Sequence, residues 1–448
     1  MRRKIDLLKI WPYAIYSNIL FVFLSSRYAV NFFGIPSILS RLFTLCLYAP
    51  FIISIGYKVF NDLKTKKIGK LSFFFYLFLV YYVLVTIYRF FSGLEYKESI
   101  YYTLTFLGMI AFYIESKKSN NNINNKSILF LSLFVGIYQL IYLIFGHYFF
   151  EFNPININII VGIYLVLFPV CLYIYQRKAF NNLFYIISTS MPILILIISE
   201  SRSGFLLLIF ELILSFIISI KRKKTKYILL PTLISIFVIA LISGFNILMD
   251  SYTVSAMGIH EYSDIELMKN ENKYEYNNHL KNEMNLIDSR VQNANNYINN
   301  LEDLDLSDSD RMRLDLMYLG VQQVKQNPLF GTGDLYYTYA VSETQIFEQT
   351  AHNIIIETLC CYGLIGFLQI FFILVMIIKN TIKSFKKSNQ TILNSPICEI
   401  GIAIISYFTV SMVQPLGYDS LVFPILIITI IVMSQFLVKE ERHVQQQK

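Results

Sequence analysis

The chain has 448 residues, 55% hydrophobic and only 15% charged, with a net charge of +8 and a mean hydropathy of +0.52. Soluble domains run at about 45–50% apolar and about 25% charged, and here the apolar residues arrive in long unbroken runs. That excludes a soluble enzyme, a disordered chain and a nucleic-acid reader, and leaves a polytopic membrane protein.

A helical crossing takes about 20 residues. Apolar stretches of that order predict spans near 10–26, 38–60, 71–91, 98–115, 128–146, 154–175, 182–199, 203–220, 227–249, 352–378, 397–413 and 421–438. At the start, Trp11-Pro12 and the lack of an A-x-A site favour an uncleaved first span over a signal peptide. The expected fold is all-α, a transmembrane helical bundle of about 12 spans with one large external, partly helical loop. Spans one to nine occupy 1–249, the loop 250–351, and spans ten to twelve with the tail 352–448.

Charge assigns the sides. Segment 250–351 holds 17 Asp/Glu and 7 Lys/Arg, whereas the remainder holds 31 basic and 13 acidic residues. Alternate short segments, from Arg2/Arg3/Lys4 through Lys221–Lys226 to the tail, collect 25 Lys/Arg. The segments opposite hold five: Arg27, Arg41, Arg89, Lys97 and Arg202. The positive-inside bias therefore predicts cytoplasmic termini and an external long loop. The five cysteines fit no zinc or disulfide spacing and read as small buried hydrophobes.

The first half of the loop, rich in Asn pairs, reads as partial helix and flexible linker. The second half changes character. Ser309 is a candidate N-cap with Asp310 in the first turn. Leu314, Met317, Leu319, Val321 and Val324 then supply an approximate helical apolar face. Asn327-Pro328 and Gly331-Thr332-Gly333 end the helix and turn the chain.

Three places carry candidate chemistry. Ser201-Arg202-Ser203-Gly204 puts a guanidinium at the outer start of the eighth span. It reads either as an interfacial anchor partnered by Glu200 or as an anion site beside free N–H groups. Arg311 and Arg313 begin the amphipathic helix, where positive charge opposes the macrodipole. The compensating anion is either Asp308/Asp310 or a ligand. His352-Asn353 opens the tenth span, with Ile354-Ile355-Ile356-Glu357 and Gly363-Leu364-Ile365-Gly366 beyond it. A neutral imidazole there is either structural or a proton acceptor. By topology all three places share the outer face, and two guanidinium groups with one base suit transfer from a pyrophosphate-activated donor.

These stretches resemble the O-antigen ligase and Wzy-type polysaccharide polymerase family of membrane glycosyltransferases, over roughly residues 190–378. The S-R-[SG]-G pattern matches 201–204. An Arg, then an amphipathic helix, then N-P-L-[FI]-G-x-G matches Arg313 through Gly333. The H-N-x-x-[IL]-[EQ]…G-[LI]-x-G pattern matches His352 through Gly366. Met317 departs from the pattern, which carries an aromatic there, and Arg311 is an extra cation. The assignment between Arg311 and Arg313 stays open, with the distance to Pro328 favouring Arg313.

The resemblance implies a large outer loop packed over a lipid-facing cavity. It implies a donor glycan on undecaprenyl pyrophosphate at the outer face of a bacterial cytoplasmic membrane, with no metal or other cofactor. Arg202 and Arg313 would hold the pyrophosphate and His352 would position or deprotonate the acceptor hydroxyl. The expected activity is a polymerase joining lipid-linked repeat units. A ligase shares these motifs; a lipid-linked oligosaccharide flippase is the reading from another class. A chain-length regulator is a conceivable protein partner, and no nucleic acid is expected.

Overall fold

The computed structural model describes residues 36–66, 68–92, 97–118, 125–149, 157–177, 182–199, 201–256, 308–333, 336–342, 345–388, 391–414, 416–418 and 421–446. Twelve helices occupy these residues: α1 Ser37–Thr65, α2 Lys70–Ser92, α3 Lys97–Ser116, α4 Asn125–Phe149, α5 Ile157–Gln176, α6 Leu183–Ile198, α7 Arg202–Lys221, α8 Lys226–Ala256, α9 Asp308–Gln326, α10 Ile354–Lys387, α11 Ile397–Ser411 and α12 Val422–Gln446. Two strands, β1 Tyr336–Ser342 and β2 Gln345–Thr350, form an antiparallel hairpin between α9 and α10. The all-α expectation is thus met by the bundle and supplemented by one hairpin in the loop.

Among the described residues five helices are long and apolar enough to cross a bilayer: Arg41–Thr65, Lys70–Ser92, Asn158–Gln176, Arg202–Lys221 and Ile354–Lys387. Shorter apolar helices lie within α4, α6, α8, α11 and α12. The expected first span, 10–26, and the first half of the long loop fall outside the described residues.

Helix α5 is the post of the bundle. Its most apolar stretch is 89% buried, against 28% for that of α7, and α4, α6, α7, α11 and α12 pack around it. Leu165, Val166, Leu167 and Phe168 are each fully covered. The peripheral helices turn Phe205, Leu206, Phe371 and Phe372 outward. In water such apolar faces would aggregate; here they are the faces for hydrocarbon.

Helix ends follow from sequence. Asn182 caps α6 by accepting from the Phe184 amide (3.1 Å), and Ser201 caps α7 by accepting from Gly204 N (3.2 Å). Asn353 caps α10, its Oδ1 accepting from the amides of Ile355 (3.0 Å) and Ile356 (3.2 Å). Each side chain satisfies donors that the first helical turn leaves open.

At one end of the bundle, ion pairs fasten helices together. Lys58 pairs with Asp62, and Lys118 reaches Asp62 (3.1 Å) and Glu115 (2.8 Å), joining α1 to the end of α3. Arg222, after α7, pairs with Glu399 of α11 and donates to Gln176 Oε1 (3.0 Å) of α5. By helix direction, Arg202 and His352 stand at the opposite end.

Candidate functional site at the outer helix ends

The long helix α10 is broken. Gly363 has φ +61° and ψ −175°, so the helical ladder stops and restarts there. A break at membrane depth is costly unless each freed backbone group finds a partner within the protein, and here the accounting closes. The Cys360 carbonyl accepts from the amides of Thr332 (2.9 Å) and Gly333 (3.1 Å). The Cys361 carbonyl accepts from Arg89, and the Tyr362 carbonyl from the Tyr81 hydroxyl at 2.5 Å. Beyond the break, the Leu364 and Ile365 amides donate to the carbonyls of Pro328 (2.8 Å) and Leu329 (3.3 Å).

The Asn327–Gly333 turn is therefore the missing piece of α10. Gly331 has φ +68°, and a Cβ there would collide with the Cys360 carbonyl; one on Gly363 would collide with the Leu329 peptide. Both positions need glycine for close approach as well as for conformation.

Arg89 is the residue that sequence reading did not single out. It is fully buried on α2, and its guanidinium bridges the carbonyls of Phe330 (2.8 Å) and Cys361 with Ser99 Oγ at 3.4 Å. Each hydrogen bond from a charged donor contributes about 1.5–3 kcal/mol. Arg89 thereby clamps the turn against the broken helix, across 241 and 272 residues of chain. Only its outer-side placement was legible, because backbone carbonyls leave no mark in a sequence.

Helix α9 leads into this turn. It starts at Asp308, so Ser309, expected as the N-cap, lies inside the first turn. The apolar face also differs from expectation. Leu314 and Val321 are exposed, whereas Leu316 and Gly320 are buried. Gly320 lets the two helices approach closely, its carbonyl lying 3.4 Å from Cys360 Sγ, and this rotates the buried face. Arg313, Leu316 and Gly320 follow the i, i+3, i+7 spacing of one face. Arg311 lies about 200° around the helix from Arg313, with its side chain outside the described set.

The hairpin returns the chain to α10, pairing Tyr336 with Thr350. Next comes His352, 6% exposed, with φ +51°, a conformation histidine adopts more readily than most residues. Its amide donates to Thr350 Oγ1 at 3.3 Å, and Asn353 starts the helix. His352 itself stays outside the span, which begins at Ile354 rather than at 352. Burial first, and then the Arg313 charge, push its imidazole down to about 4 from the usual 6.5. The fold therefore holds a neutral imidazole within the field of Arg313.

Arg202 is the first residue of α7 and is exposed. Among the described residues no hydrogen bond or ion pair engages its guanidinium. Its neighbour Ser203 accepts from Gln414 Nε2 at 3.0 Å. Glu200, its expected partner as an anchor, lies outside the described residues. The structure thus brings Arg313 to His352 and leaves Arg202 on the same end of the bundle, open at a helix N-terminus where anions are favoured. Among the described residues no group of three or more His, Cys, Asp or Glu is placed to hold a metal ion.

Residues 183–371 match the family model described as O-Antigen ligase. That stretch is similar to the O-antigen ligase family. Arg202, Arg313, the Asn327–Gly333 turn, His352 and the α10 break all fall inside it, whereas Arg89 and Gln414 brace it from outside. No curated protein matches the chain significantly. Helices apolar enough to cross a bilayer lie within the matched stretch (Arg202–Lys221), overlap it (Ile354–Lys387) or pack beside it (Asn158–Gln176), as a membrane protein requires.

Proposed function

We propose that this protein is a polymerase that joins undecaprenyl-pyrophosphate-linked oligosaccharide repeat units on the outer face of the cytoplasmic membrane, without a metal. One observation carries the reading: a buried, neutral His352 sits in the field of Arg313, at the end of the bundle where Arg202 opens a helix. The two arginines hold the donor's pyrophosphate through paired N–H donors and stabilise the charge that develops as it leaves. His352 takes the proton from the acceptor hydroxyl as the new glycosidic bond forms.

The two roles are coupled. Before the donor binds, the Arg313 charge and burial disfavour protonation of His352. A pyrophosphate seated on Arg313 cancels the electrostatic part, so the imidazole becomes a better base once the donor is in place. Burial, the larger cause, persists.

The second reading is a ligase that moves the finished glycan to another acceptor, favoured by the similarity of residues 183–371 to the O-antigen ligase family. Both readings use the same residues. Purified protein in lipid nanodiscs, supplied with lipid-linked repeat units and chelator, separates them. A ladder of longer lipid-linked products from the parent, absent in His352→Ala, is the expected result. Transfer to a different acceptor without lengthening makes the protein a ligase. Repeat units moved across the bilayer but never joined make it a flippase, and undiminished polymerisation by His352→Ala removes the base assignment.

A further inference from the structure

Arg202 and His352 share an end of the bundle, but Arg202 opens α7 and His352 precedes α10, two helices far apart in the chain. The turn after α11 ties those two starts together. Gln414, 4% exposed, donates through Nε2 to Ser203 Oγ at 3.0 Å. Ser203 Oγ lies 3.3 Å from Ser201 Oγ, and Ser201 caps α7 through the Gly204 amide. On the other side, the Met412 carbonyl accepts from Asn353 Nδ2 at 3.4 Å, and Asn353 caps α10. One short turn thus bonds to the cap region of both helices.

The turn is itself held. The Tyr407 hydroxyl donates to the Gly417 carbonyl, and the Leu416 amide to the Gln414 carbonyl at 2.8 Å. Gly417 packs against the Glu357 carboxyl and the Tyr102 ring, leaving no space for a Cβ. Tyr407, Gln414, Leu416 and Gly417 lie beyond residue 371, where the family match ends.

We infer that Gln414 is a positioning residue for the transfer reaction, fixing the first turn of α7, and with it Arg202, relative to His352. The inference rests on the reading of Arg202 and His352 given above. A small misplacement of reacting groups is enough to lower turnover strongly. The hydrogen bond to Ser203 orients a helix start without touching substrate, and its loss need not unfold a bundle held by the α5 core.

The test is a double-mutant cycle on the full-length protein in nanodiscs, reading kcat, KM for the lipid-linked donor and melting temperature. Gln414→Leu is expected to lower kcat about tenfold and raise KM, with little change in melting temperature. Ser203→Ala, which removes the other partner, is expected to do the same, and the double variant to lose little more, because both delete one bond. The Ser203→Ala arm decides the matter alone if Gln414→Leu fails to fold. Additive losses, losses that track melting temperature, or full activity in Gln414→Leu beside an inactive Arg202→Lys overturn the inference and leave the site reading standing. Full activity in Arg202→Lys beside an impaired Gln414→Leu overturns the site reading, and the inference with it.

Discussion

The two ends of the bundle use charge differently. At the ion-pair end, cations meet carboxylates: Lys58 and Lys118 share Asp62, Lys118 also takes Glu115, and Arg222 takes Glu399. At the His352 end, Arg89 spends its fork on backbone carbonyls, Arg202 is exposed, and Arg313 casts its field on a buried imidazole. Matched charge fastens helices. In the proposed function, positive charge set beside a neutral base and a helix N-terminus receives an anion that arrives with the substrate.

If that contrast is right, changes at the His352 end cut turnover and changes at the ion-pair end cut stability. The largest loss is expected from His352→Ala, about 10²–10⁴-fold in glycan transfer, with the protein still reaching the membrane. His352→Asn keeps a polar group without the base and should recover little. The assay is the nanodisc reaction read by glycan length.

Next come the arginines. Lysine keeps the charge but loses the fork, so Arg202→Lys and Arg313→Lys are each expected to lower turnover by about 10²-fold, on the scale of losing one transition-state donor. Arg311→Lys should leave it nearly unchanged. Loss in Arg311→Lys with an active Arg313→Lys would reverse the choice between them. Full activity in both Arg202→Lys and Arg313→Lys would remove the bidentate model.

The pH dependence gives a subtler separation. Neutral His352 is the active form, so activity falls as pH drops through its folded pKa, about 4 in the free protein. The kcat/KM profile reports the free enzyme and the kcat profile the complex. With pyrophosphate cancelling the Arg313 charge, the acid limb of kcat should lie at higher pH than that of kcat/KM. Coincident limbs would mean that Arg313 and the donor do not meet.

The smallest effect on turnover belongs to the ion-pair end. Glu399→Gln leaves the Arg222 charge buried without its carboxylate. Breaking such a pair costs about 3–5 kcal/mol of stability. Thermal melting should fall while turnover per folded molecule holds. A turnover loss matching that of Arg202→Lys would erase the distinction between the two ends.

The sequence carried much of this, for reasons visible in individual residues. The apolar runs read from 203 and 352 placed the starts of α7 and α10 within about two residues, whereas the caps Ser201 and Asn353 went unread. The Asn327-Pro328 and Gly331–Gly333 punctuation marked a turn, but not that it completes α10, because that partnership is between backbones. The apolar face of α9 was read from large residues and missed the rotation that Gly320 permits. The hairpin went unread although Tyr336–Ser342 and Gln345–Thr350 carry the aromatic and β-branched residues that strands favour. Arg89 and Gln414 act on residues hundreds of positions away, and local pattern does not reach that far.

The most direct test of the central claim is the protonation of His352 itself. Nitrogen-15 NMR of histidine-labelled protein in nanodiscs, with the His352 signal assigned by its loss in His352→Gln, follows the imidazole as pH is varied. The account expects a neutral ring down to a pH near 4 in the free protein. It expects the titration to move upward when inorganic pyrophosphate is added, and that movement to vanish in Arg313→Gln. A His352 that titrates near 6.5 and ignores pyrophosphate would contradict it.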